Sequence, residues 1–68
     1  MTEFDRLLDH YIAMWRNPGW RLQANHRIDE LEEDDSGAFR GIKAEFKRRT
    51  DEIRRQAAEA KQAREVAK

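Results

Sequence analysis

The chain has 68 residues, no cysteine, and 14 basic side chains balanced by 14 acidic ones. That length allows one small domain whose buried fraction is modest. The missing cysteine excludes disulfide staples and thiolate zinc sites, leaving self-association as a common remedy for so small a core. Leu, Ile, Val and Phe supply only 12 of the 68 residues. With no net charge, however, the composition favours a folded body over a disordered chain.

The N-terminal sequence begins the first predicted helix. Thr2 can cap it, and Glu3 and Asp5 fall in the first turn, where the helix dipole favours negative charge. Phe4, Leu7, Leu8, Tyr11, Ile12 and Trp15 then recur at the spacing of one helical face, predicting a helix over about 2–16. The same segment lacks the basic start and apolar run of a secretory signal. No apolar run approaches the roughly 20 residues needed to span a bilayer. A cytoplasmic protein without membrane contact is expected.

Asn17-Pro18-Gly19 interrupts the first helix and can start a second, with Pro18 at the first helical position. Trp20, Ala24, Ile28 and Leu31 give it a narrow stripe over about 18–33, with Leu22 to one side. Its end is crowded by six carboxylates in the seven residues from Asp29 to Asp35. Negative charge is disfavoured at a helix C-terminus, so this end is expected to fray or to meet basic groups.

Asp34-Asp35-Ser36-Gly37 reads as a turn leading to a third helix over about 37–55. Phe39, Ile42, Phe46 and Ile53 form its seam, which continues weakly through Ala57, Ala60, Ala63 and Ala67. Residues 56–68 favour helix but offer little apolar area, and are expected to continue or fray as a charged tail. Gly41, inside this helix on that reading, suggests either close approach of another backbone or a frayed first turn. The expected fold class is all-α, a helical hairpin or three-helix body filling residues 1–55, dimerising through coiled-coil-like packing of its first and third helices.

Charge is segregated along the chain. Residues 1–37 carry four basic and nine acidic groups, net −5; residues 38–68 carry ten and five, net +5. One reading is internal complementarity, with Arg40, Lys43, Lys47 and Arg48 turned towards the 29–35 run. The other is a nucleic-acid-binding ridge of Arg40, Lys43, Lys47, Arg48, Arg54 and Lys61, continued at Lys68. Against it, Glu45, Glu52 and Glu59 form an acidic ridge on the other flank of the seam, an arrangement suited to helix–helix pairing.

No site chemistry stands out. Ser36, Thr2, Thr50 and Tyr11 are the only hydroxyls, and none sits in a recognisable triad or beside a glycine-rich phosphate loop. His26 with Asp29 and Glu30 has helical ligand spacing but no second ligand pair, so neither metal nor cofactor is expected. Large aromatics do bracket a tight turn, as interface anchors often do, although tryptophans in a small body also serve as core. The expected function is a non-enzymatic interaction protein, whether adaptor, inhibitor or assembly subunit. It would bind a protein partner through Tyr11, Trp15, Trp20, Phe39, Ile42, Phe46 and Ile53, the alternative being a small nucleic-acid-binding regulator.

Overall fold

The computed structural model describes residues 1–66; Ala67 and Lys68, the last positions of the predicted seam and basic ridge, lie outside them. Three α-helices and one short 3-10 turn make up the architecture, with no strand among the described residues.

Helix α1 spans Glu3–Arg16. The Thr2 hydroxyl accepts from the Asp5 N–H at 3.2 Å, satisfying one orphan donor of the first turn. Asn17 ends the helix in an extended conformation, and its side-chain oxygen accepts from the Gly19 N–H at 3.1 Å. Pro18–Trp20 then form a 3-10 turn, closed by the Trp20 N–H on the Asn17 carbonyl at 2.9 Å. Helix α2 therefore starts later than predicted and spans Arg21–Glu32. Pro18 supplies the turn with its fixed φ, and the three-residue bond winds the chain too tightly for α geometry until Arg21.

Helix α3 spans Ile42–Val66. It begins at Ile42 rather than near residue 37, because Gly37 and Gly41 both take positive φ, 71° and 92°. An α-helix cannot continue through such residues, and glycine adopts them without the strain of a side chain. Gly41 thus stands before the helix, not inside it. Nothing lies within 4 Å of where its Cβ would be, so backbone conformation explains this glycine and close approach does not.

The start of α3 is held from a distance. The Glu32 carboxylate, at the end of α2, accepts from the Gly41 N–H at 2.9 and 3.0 Å and from the Lys43 N–H at 3.0 Å. These are the orphan donors that a local cap normally serves. The two backbone N–H groups, with smaller help from the nearby Arg40 and Lys43 charges, hold the Glu32 carboxyl below its ordinary value. A depressed folded-state pKa stabilises the fold above the ordinary carboxylate range, and the gain is lost as pH falls through the folded value. Glu32→Gln is therefore expected to lower the thermal midpoint at neutral pH. It should also remove part of the acid destabilisation below about pH 4.5, a comparison readable by circular dichroism melts.

The core contains one pair of residues from each helix: Leu8 and Trp15 from α1, Ala24 and Ile28 from α2, Ile42 and Phe46 from α3. Ala24 is fully buried, and its small side chain admits the neighbouring helix. Phe4, Leu7, Tyr11, Ile12, Met14, Leu31, Phe39 and Ile53 close the edges of this cluster. Thr50 is buried on the same face of α3 and donates its hydroxyl to the Lys47 carbonyl at 3.1 Å, so its polar atom is satisfied.

Four contacts fix the course of α3. Gly41 meets Glu32, Lys43 meets Asp29 at 3.1 Å, Arg49 lies 4.0 Å from Asp9, and the Arg54 guanidinium sits 5.1 Å from the Trp15 ring. The helix therefore runs antiparallel to α2 and parallel to α1. By Arg54 it has reached the end of α1, and residues 54–63 are all exposed. The outer half projects past the α1–α2 turn, giving an elongated molecule of 53 × 23 × 18 Å.

Candidate protein-interaction surface

The aromatic residues around the α1–α2 turn have divided roles. Trp15 lies on the stripe of α1 and is only 3% exposed. The Arg21 guanidinium lies over its ring at 4.5 Å and that of Arg54 at 5.1 Å, and Arg21 Nε also donates to the Trp15 carbonyl at 3.2 Å. These two cation–π contacts tie the end of α1 to the start of α2 and to the middle of α3. Trp20, in the 3-10 turn, is 53% exposed, and Leu22 beyond it is 70% exposed. Tyr11 is half-buried, with its ring edge-on to His10 at 4.9 Å.

The remaining candidates from the apolar seam separate in the same way. Ile42 and Phe46 are core residues within a single chain, covered by α1 and α2. Phe39 and Ile53 are half-buried at the two edges of the body. The surface that the folded chain leaves uncovered comprises Trp20, Leu22 and residues 54–63 of α3. Leu22 could have been noticed from sequence, because it lies off the α2 stripe.

The basic candidates are largely engaged. Lys43 pairs with Asp29, and Arg40 lies near enough to Glu32 to lower its pKa. Arg48 donates to Glu45 at 2.5 Å and Arg49 to the same carboxylate at 3.2 Å. These guanidinium hydrogen bonds hold the Glu45 carboxyl below its ordinary value and push Arg48 up. Arg54 covers Trp15, while Lys47 and Lys61 are exposed on the outer flank. The 29–35 run and the start of α3 thus meet within one chain, through Asp29, Glu32, Arg40 and Lys43.

A shallow depression of about 330 Å³ lies between α2 and α3, its rim carrying Asp29, Asp51, Lys43, Lys47 and Arg54. Its floor is Trp15, Ile28 and Phe46, each already buried, so little apolar surface is left for a ligand to cover. His26 is exposed, and no group of three or more His, Cys, Asp or Glu side chains able to hold a metal occurs among the described residues. No described helix is long and apolar enough to cross a membrane.

Against known proteins, the chain matches no family model, no curated protein and no solved structure. Function must be argued from the surface itself.

Proposed function

We propose that this chain is a non-enzymatic interaction protein, an adaptor, inhibitor or small assembly subunit. It grips a protein partner at the end of the body where α3 leaves it. The observation that carries this reading is the exposure of Trp20 and Leu22, in a chain whose α3 residues 54–63 are also left uncovered by α1 and α2. Isolated exposed apolar residues are ordinary, but an exposed tryptophan with an exposed leucine two residues on can supply an anchor of the kind that dominates interface energetics.

Nucleic acid is the weaker reading. Binding a phosphate backbone needs cations free to exchange their partners for phosphates, and Lys43, Arg48 and Arg49 already serve carboxylates of this chain. Dimerisation through the whole seam is also disfavoured, since its strongest residues, Ile42 and Phe46, are spent on the chain's own core.

The test is affinity capture from the source cells with the full chain and with Trp20→Ser/Leu22→Ser, both shown to be helical by circular dichroism. The same protein should be recovered by the parent chain and lost with the double variant. Recovery that ignores both substitutions, or enrichment of nucleic acid alone, would overturn the reading.

A further inference from the structure

We infer that the depression between α2 and α3 receives a carboxylate side chain from an acidic segment of the protein partner, with an apolar residue of the same segment lying over Leu22. The inference rests on the interaction reading above and names the chemistry of the partner.

Ion pairing within the chain singles out this place. Arg6, Arg27, Lys43, Arg48, Arg49 and Arg55 each have a carboxylate of the chain within 4.0 Å. Lys47 and Arg54, which both line the depression, have none among the described residues. Arg21 has none either, and its guanidinium lies over the same indole as that of Arg54. A cation over an aromatic ring keeps its charge, and stacking occupies the flat face of a guanidinium while its N–H edge remains available to a planar acceptor. Positive charge that no carboxylate of the chain meets therefore gathers around Trp15 and the depression that it floors.

The lining also sets how much negative charge the site takes. Asp29 is occupied by Lys43 at 3.1 Å, so Lys47 and Arg54 stand against Asp51 alone and one positive charge is left in excess. A single carboxylate balances that excess, and it can accept from the Arg54 guanidinium, the Lys47 ammonium and the side-chain amide of Asn25, which lies on the same rim. A nucleic-acid backbone, with a charge at every residue, would bring further phosphates up to Asp29 and Asp51.

The exposed leucine adjoins this site. Leu22, Asn25 and Asp29 follow at i, i+3 and i+7 within α2, on one side of the helix, and the last two line the depression. Leu22, 70% exposed, thus stands one turn away from Asn25. The buried floor leaves little apolar surface inside the depression, so the apolar contact falls on Leu22 and the charge contact on Lys47 and Arg54.

The experiment is a nuclear magnetic resonance titration of the isotope-labelled full chain with three probes. The first is a synthetic helical peptide carrying one leucine with a glutamate one turn to either side of it. The second is the same peptide with both glutamates changed to glutamine, and the third is a single-stranded oligothymidylate. The glutamate peptide is expected to shift the Asn25 side-chain amide and the Arg54 Nε–H, and to bind at least about fivefold more tightly than the glutamine peptide, with the preference shrinking as salt rises. Lys47 is exposed, so Lys47→Gln keeps the fold and should erase most of that preference, while Leu22→Ser should weaken both peptides alike. Equal binding of the two peptides, no binding, or shifts centred away from the depression would overturn the inference. So would oligothymidylate binding to these groups more tightly than the glutamate peptide. If the glutamate peptide fails while partner capture still depends on Trp20 and Leu22, the partner's chemistry is wrong and the interaction reading stands.

Discussion

Replacing Phe46 by alanine is expected to leave the chain mostly unfolded at 25 °C, with loss of the cooperative thermal transition in circular dichroism. Phe46 is 4% exposed and belongs to one core cluster with buried residues of both other helices. Truncating a buried phenylalanine costs about 3–5 kcal/mol, the lost transfer energy plus the cavity left behind. A single domain of this size has a total stability of only roughly 3–10 kcal/mol. Phe46→Leu keeps most of the volume and should melt cooperatively at a lower temperature. An alanine variant as stable as the parent would mean that the three-helix core is not what holds the chain together.

Trp15→Ala is expected to have a comparable effect on stability, about 3–5 kcal/mol, and a second effect that Phe46→Ala lacks. Trp15 is the surface on which Arg21 and Arg54 stack, so it sets the point at which α3 leaves the body. Removing either arginine alone forfeits one cation–π contact, about 0.5–1 kcal/mol. Removing the indole forfeits both contacts and the core packing together. Denaturant titrations of Trp15→Ala, Arg21→Ala, Arg54→Ala and the double arginine variant measure this. The tryptophan substitution should exceed the sum of the two arginine substitutions, and equality would mean that the ring contributes only as a platform for charge.

What the sequence made legible follows from what is local. Helix α1 was readable almost to the residue, because six apolar positions repeat without a gap and Thr2, Asn17 and Pro18 mark its ends. The start of α3 was not, because its cap comes from Glu32, nine and eleven residues before the groups it serves. A local capping box is visible in a sequence, whereas a carboxylate arriving from the preceding helix is not. The acidic run is badly placed for the dipole of α2, and one member of it, Glu32, serves the opposite dipole end of α3.

The same contrast governs the surface. Trp15 and Trp20 are equivalent in composition, yet only Trp15 falls on a continuous helical stripe, while Trp20 sits in a 3-10 turn that periodicity does not describe. Ile42 and Phe46 satisfied every requirement of a dimer seam, and a helix cannot reveal from its own sequence whether the matching face belongs to its own chain or another. Only the parallel course of α1 beside α3 settles that these two residues are occupied within the chain.

The cap at Glu32 has a consequence for the order in which the chain acquires its structure. A helix nucleus is costly because several residues are fixed before hydrogen bonds compensate. Here the first donors of α3 are met by a carboxylate that is in position only once the last turn of α2 has formed. Completion of one helix thereby lowers the nucleation barrier of the next, and the two glycines permit the reversal that brings them together. The closing loop is short, so little chain entropy is lost in making the contact. The molecule should therefore assemble from its α2–α3 corner outward, with the projecting half of α3 growing last, as an extension of a helix already begun.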